Sequence, residues 1–158
     1  MNIENPKVVY HDITIGNLSS AEKTITQLES TGISMYAHDR EHALGTKLET
    51  VERIIRLAII DVPMLSRMGD PKTMDNIFRT VHSSFEWENC PQETGLQLWL
   101  QPPEILLTPG TKLTVVMESL QTMIFQATHW FKGGKELGLQ QDHPRRKWDY
   151  ETLVFVCG

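Results

Sequence analysis

Apolar and polar residues follow a helical period through much of the first half of the chain and a period of two after Cys90. At the start, the β-branched and partly alternating run 8–15 predicts a short strand. Ser19 and Glu22 then have capping-box spacing, in which each side chain satisfies a free backbone donor in the first turn of a helix. We therefore expect a helix that begins after Ser19 and ends at Gly32.

The next part of the chain contains one short helix and one ambiguous segment. The short helix is predicted over 34–44. Residues 46–63 include a β-branched run that suits a buried strand. However, Thr46 and Glu49 repeat the capping-box spacing, and apolar residues with a helical period follow them. A helix that ends at Pro63 is therefore predicted here.

The clearest helical pattern follows Pro71. Asp70 is predicted to be the N-cap and Pro71 the first helical residue. The spacing i, i+3, i+4, i+7 of one buried helix face is then occupied by Met74, Ile77, Phe78 and Val81.

Strict alternation marks the second half of the chain. Leucines alternate with polar or aromatic residues over 96–101, which predicts a half-buried strand. Further strands are predicted over 112–118, 122–131, 135–140 and 150–156. Short strands joined by turn residues are typical of an antiparallel sheet.

These elements together predict an α+β fold. We expect an N-terminal strand, then three or four helices, then a four- to five-stranded antiparallel sheet. With 158 residues and no Pro/Gly/Ser-rich linker, the chain is predicted to form a single domain over 1–158. A subdivision into a mainly helical part, 1–89, and a sheet part, 90–158, is the alternative.

Composition narrows the choice of partners and of compartment. The net charge of −5 argues against nucleic acid, and the basic cluster 145–147 is interpreted as solvated surface. The apolar stretches are too short to cross a bilayer, so no membrane partner is expected. The N-terminus lacks the pattern of a signal peptide, and Cys90 and Cys157 are interpreted as reduced thiols. A cytoplasmic protein is therefore predicted.

His38 and His42 form the one pattern that suggests metal chemistry. Two histidines at i and i+4 on a helix lie on one face and can bind the same zinc ion. The usual signature of zinc proteases has Glu after the first histidine, whereas Asp39 stands here. A metal-dependent hydrolase that uses His38 and His42 is the alternative function.

Other catalytic motifs are incomplete in the sequence. The chain has neither the Gly-x-Ser-x-Gly turn of serine hydrolases nor a glycine-rich nucleotide-binding loop. No catalytic residue and no cofactor is therefore predicted, and a non-enzymatic protein is favoured.

The remaining hypothesis concerns the outer side of the predicted strand over 96–101. Gln97, Trp99 and Gln101 would share that side, and Glu118 on a neighbouring strand would join them. An exposed indole among polar groups suits recognition, so a module that binds a protein or a small ligand is the first function predicted. The competing interpretation is that helices cover this face and bury Trp99.

A third hypothesis is a homo-oligomer. The strand at Val8 or the C-terminal strand would then pair with its counterpart across a two-fold axis.

Overall fold

The structure is a computed structural model that describes residues 8–66, 73–117, 123–141 and 151–157, without the side chain of Gln141. Within these ranges the chain forms five α-helices, eight strands and one 3-10 turn at Glu104–Leu107. The helices are α1 (Ala21–Ser30), α2 (Ala37–Ala43), α3 (Val62–Ser66), α4 (Met74–Phe85) and α5 (Thr94–Leu100). The strands are β1 (Val9–Ile15), β2 (Ile33–Ser34), β3 (Arg53–Asp61), β4 (Trp87–Glu88), β5 (Lys112–Val115), β6 (Met123–His129), β7 (Lys135–Gln141) and β8 (Thr152–Cys157).

The described strands form one mixed sheet in the order β1-β3-β8-β5-β6-β7-β2. Strand β4 pairs with β8 beyond the end of β5, on the side of β8 that faces away from β3. The pairs β5–β8 and β2–β7 are parallel, and the others are antiparallel. The α+β class is confirmed, but the predicted antiparallel sheet of four or five strands was wrong in both size and direction. Strands from 1–89 and from 90–158 share this one sheet.

The segment predicted as a helix over 46–63 contains strand β3 instead. Strand β3 lies between β1 and β8, and its second half is covered on both faces, because Leu57 and Ile59 belong to one apolar core and Ala58 and Ile60 to the other. A strand buried in this way reads as a continuous apolar run, which also satisfies a helical period. The apparent capping box has other partners, because Thr46 Oγ1 donates to the Ala43 carbonyl and the Glu49 N–H donates to Glu93.

The segment predicted as a strand over 96–101 is helix α5. The alternation was misleading because α5 is buried almost all round, so that Leu96, Gln97, Leu98 and Trp99 are all buried. A helix without an exposed face shows no amphipathic period. The predicted order of one strand, then helices, then a sheet is not matched, because β2, β3 and β4 alternate with helices before Cys90 and α5 follows it.

Other predicted elements are confirmed with small shifts. The first strand is β1, and helix α1 begins after Ser20, whose Oγ accepts from the Lys23 N–H at 3.0 Å. Helix α4 has the predicted buried face, and its N-cap is Thr73, whose side chain accepts from the Asn76 N–H. The predicted cap at Asp70 lies outside the described residues. The helix predicted over 34–44 is shorter, because Ile33–Ser34 forms β2 before α2 begins.

Helices cover both faces of the sheet and create two apolar cores. One core packs α1, α2 and α5 against side chains from seven strands, with Ile13, Leu57, Leu98 and Phe125 among its members. The other core packs α3 and α4 against the opposite face. Each core excludes water from one side of the central strands, which is the main stabilising term of such a layered fold.

Gly95 sets the closeness of α5 to the sheet. A Cβ atom at this position would overlap the ring of Phe125, which is fully buried in β6. The helix backbone therefore lies directly on an aromatic ring, and no side chain fits between them.

We predict that Gly95→Ala lowers the free energy of unfolding by about 1–3 kcal/mol, the usual cost of overpacking a core. Alanine favours a helix over glycine by about 1 kcal/mol, so a loss would show that the steric effect dominates. Urea denaturation measures the change. Gly134→Ala is the control, because a Cβ there meets nothing closer than Trp130 Cδ1 at 3.6 Å. Equal stability of both variants would contradict the prediction.

Candidate functional site

Three polar residues one turn apart, Glu93, Gln97 and Gln101, line the side of α5 that faces β1. Gln97 Nε2 donates to Glu93 Oε2 at 2.9 Å, and Gln101 Nε2 donates to Gln97 Oε1 at 2.7 Å. Gln97 Nε2 also donates to Asn17 Oδ1 at 3.0 Å. The three side chains thus form a hydrogen-bonded row along the helix.

Glu93 is fully buried and accepts hydrogen bonds from three separate parts of the chain. The Gly16 N–H donates to its two oxygens at 3.2 and 3.3 Å, and the Glu49 N–H donates to Oε1 at 2.7 Å. Gln97 supplies the remaining donor. A buried carboxylate surrounded in this way is satisfied by structural hydrogen bonds.

Gln101 closes part of the free edge of β1. Its Oε1 accepts from the Thr14 N–H at 2.8 Å, and its Nε2 donates to the Thr14 carbonyl at 2.8 Å. The side-chain amide therefore pairs with Thr14 as a residue of a neighbouring strand would. His11 Nε2 lies 2.7 Å from the carbonyl oxygen of Gln101 and extends the contact.

Trp99 lies inside the protein with only 8% of its surface exposed. Its indole N–H donates to the Glu136 carbonyl at 3.0 Å, and its ring meets His129 edge-on at a centroid distance of 6.2 Å. The predicted exposed strand face does not exist, because these residues belong to a buried helix. The interpretation that Trp99 is covered is the one that matches its burial. Glu118 lies outside the described residues.

His38 and His42 are brought together as the i, i+4 spacing predicts. Their rings lie edge to face with centroids 4.6 Å apart on helix α2. His38 Nδ1 is 3.7 Å from Asp39 Oδ1. Among the described residues, however, no three His, Cys, Asp or Glu side chains converge to hold a metal ion. A catalytic zinc site normally has three protein ligands, and the described chain brings two histidines together here.

Neither cysteine lies in an environment that favours a reactive thiolate. Cys90 is buried, and burial raises the pKa of its thiol, while its Sγ donates to the Val154 carbonyl at 3.4 Å. Burial likewise raises the pKa of Cys157. A raised pKa keeps the thiol protonated and weakly nucleophilic.

An open cleft of about 500 Å³ lies beside the C-terminal half of α4, on the opposite face of the sheet from α5. Its apolar wall is formed by aromatic and aliphatic side chains from α4, β4 and β8: Phe78, Val81, Trp87 and Phe155. Its polar lining consists of Arg79, His82, Glu88 and Asn89. An apolar wall beside a few polar groups, at this volume, is typical of small-molecule sites.

Two contacts hold the cleft in shape. Trp87 stacks on Phe85 with ring centroids 4.5 Å apart, and His82 Nδ1 lies 3.3 Å from the Trp87 carbonyl oxygen. Strand β4 then pairs with β8 through Trp87 and Cys157. The aromatic wall is therefore fixed by both the helix and the sheet.

A smaller cleft of about 320 Å³ adjoins the other side of Trp87. Arg56 lines it and is held by Asp12, whose Oδ1 accepts from Arg56 Nε at 2.9 Å. This hydrogen bond lowers the pKa of Asp12. Trp87 thus separates two clefts with charged rims.

The sequence pattern did not identify the cleft. The helical pattern predicts Phe78 on the buried face of its helix, and no predicted element contains Trp87. The only local signal is that Phe78 lies at the margin of the apolar stripe, where a side chain is half-buried. Phe155 reaches the same place only through the pairing of β4 with β8.

Within the described residues, no helix is long and apolar enough to span a membrane. No protein-family model, no curated protein and no solved structure shows significant similarity to this chain.

We predict that Glu93→Gln lowers the free energy of unfolding by about 2–3 kcal/mol, because an amide N–H would replace one acceptor among several converging donors. Urea denaturation measures this loss, and the amide NMR signals of Gly16 and Glu49 should move with it. Glu104→Gln, at an exposed position, is the control. A loss no larger than that of the control would contradict the structural role of the Glu93 carboxylate.

Proposed function

We propose that this protein is a non-enzymatic binding module and that its ligand site is the cleft beside α4. The ligand is a small, planar molecule with an apolar body and a polar or anionic edge. The observation that carries the proposal is an open cleft lined by the half-buried ring of Phe78 and the largely buried rings of Trp87 and Phe155, with the exposed side chains of Arg79 and His82 beside them. A flat apolar body fits the wall, and the polar edge meets the side chains of the rim.

Arg79 is the side chain best suited to fix the polar edge. It is exposed on α4, and among the described residues no carboxylate lies within ion-pair distance of it. A guanidinium group with free donors recognises carboxylate, sulfonate or phosphate in a planar, bidentate manner. The ligand edge is therefore expected to be anionic.

Binding is favoured over catalysis because the described part of the cleft lining offers one His and one Glu for proton transfer, and no Cys, Ser or Asp as a nucleophile. The side chains of the residues first predicted to bind a partner, Gln97, Trp99 and Gln101, form hydrogen bonds within the protein. The proposed binding site therefore lies on the opposite face of the sheet from these residues.

The fluorescent probe 1-anilinonaphthalene-8-sulfonate tests the site, because it combines an aromatic body with one sulfonate. We expect saturable binding to the folded protein and shifts of the amide NMR signals across residues 78–89. Arg79→Gln should weaken binding about three- to tenfold, which corresponds to the loss of about 1 kcal/mol from a charge-assisted contact.

Arg40→Gln is the matched control, because Arg40 lies on α2 and is paired with Glu29 at 2.9 Å. It should leave probe affinity unchanged. NMR shifts confined to other segments, or equal affinities of the Arg79 and Arg40 variants, would refute the proposal.

A further inference from the structure

Two neighbouring loops at one end of the sheet display three large apolar side chains. Phe131 is 85% exposed, and Trp130 and Leu107 are each 51% exposed. The loops are joined by backbone hydrogen bonds, in which the Gly110 N–H donates to the His129 carbonyl at 2.6 Å and the His129 N–H donates to the Thr111 carbonyl at 2.8 Å. Single exposed apolar residues are ordinary on protein surfaces, but a group on adjoining loops forms a patch.

Backbone hydrogen bonds form a tight turn beneath this patch. The Trp130 N–H donates to the Gly134 carbonyl at 2.7 Å, and the Gly133 N–H donates to the Trp130 carbonyl at 2.9 Å. Gly133 adopts a φ of 92°, which glycine tolerates without strain. The ring of Phe131 rests on Gly110, where a side chain would collide with it. The aromatic rings are thus presented by a tight turn.

The charge of the two loops differs from that of the whole chain. Residues 106–112 and 128–135 contain three lysines and no Asp or Glu, whereas the chain has a net charge of −5. Lys135 lies over the ring of Trp99, with Nζ 5.8 Å from its centroid, and Glu136 follows it directly. Lys112 and Lys132 are exposed. Glu136, at the start of β7, accepts the Trp130 indole N–H at 3.1 Å. That bond satisfies the indole donor and holds the nitrogen edge of the ring beside a carboxylate, so the opposite edge is the part that can enter an apolar environment.

We infer that this loop pair, residues 106–112 with 128–135, binds the surface of an anionic lipid bilayer. Phe131, Leu107 and Trp130 would enter the boundary between head groups and acyl chains, where aromatic side chains concentrate. Lys112 and Lys132 would meet anionic head groups. The contact is peripheral and needs no membrane-spanning segment, so it goes beyond the expectation of no membrane partner. It is also independent of the cleft beside α4.

The loop composition favours lipid over nucleic acid. Strong binding of single strands requires a groove lined with many cations, and these loops offer three lysines and no arginine. Leu107 adds aliphatic surface, which contributes to insertion but offers no aromatic face on which a base can stack.

Co-sedimentation of the full chain with vesicles tests the inference. We expect binding to phosphatidylcholine vesicles that contain about 30% phosphatidylserine, and much weaker binding to phosphatidylcholine alone. Phe131→Ala should lower the partition coefficient about tenfold through lost apolar contact. Lys132→Gln should lower it about fivefold, since one lysine near an anionic surface contributes about 1 kcal/mol.

Tyr36→Ala is the matched control, because Tyr36 is 69% exposed outside the two loops. It should bind as the unaltered protein does. Trp130→Phe should abolish the blue shift of tryptophan fluorescence on vesicle addition while binding persists, which places the Trp130 ring in the bilayer.

Three results would overturn the inference. The first is absence of binding to phosphatidylserine vesicles by the unaltered protein. The second is a Phe131→Ala variant that binds as tightly as the Tyr36→Ala variant. The third is Phe131-dependent binding of a single-stranded oligonucleotide without vesicle binding, which would assign the loops to nucleic acid.

Discussion

The buried carboxylate of Glu93 is the constraint on which the arrangement of α5 and β1 depends. The carboxylate accepts hydrogen bonds from Gly16 in the turn after β1, from Glu49 in the segment before β3 and from Gln97 on α5. A buried charge is costly unless hydrogen bonds surround it, so these segments must meet at one place for the carboxylate to be satisfied. Gly16 suits that place, because its φ of 81° and its close approach to Val51 leave no room for a side chain.

The same row of side chains determines what the edge of the sheet can do. Once Glu93 fixes the start of α5, Gln101 arrives two turns later at Thr14 and pairs with its backbone. The amide thereby blocks one position at which another strand could add to β1. The C-terminal strand β8 is paired with β3 over residues 152–156 and with β5 and β4 over most of its other side. In the predicted homo-oligomer, a second copy would therefore meet more free backbone on β1 before Thr14 than on β8.

The sequence predicted correctly the elements that bury one face and expose the other. It did not predict correctly the elements that are buried on all sides. Helix α4 exposes one face, so its apolar residues keep a readable period. The second half of strand β3 and nearly all of helix α5 are buried, so the apolar pattern of each segment reflects burial and does not distinguish a strand from a helix. The sequence draws attention to Gln97, Trp99 and Gln101, because they alternate with three leucines. That signal was real, but it marked an internal hydrogen-bond network. The cleft beside α4 could not be predicted, because it needs Trp87 and Phe155 to meet across the sheet.

The backbone at the end of α4 supports a functional interpretation of that region. Glu86 has a φ of 58°, the left-handed conformation, which costs about 1–2 kcal/mol for a residue with a side chain. Glycine is the usual residue at such a helix end, since it adopts this conformation without that cost. The reversal at Glu86 turns the chain so that Trp87 enters the apolar core between the two clefts, and the Glu86 side chain lines the smaller one. Backbone strain of this kind concentrates at binding sites. The strained turn at Glu86 therefore sets the position of Trp87, which lines both clefts, and brings Glu86 itself into the lining of the smaller one.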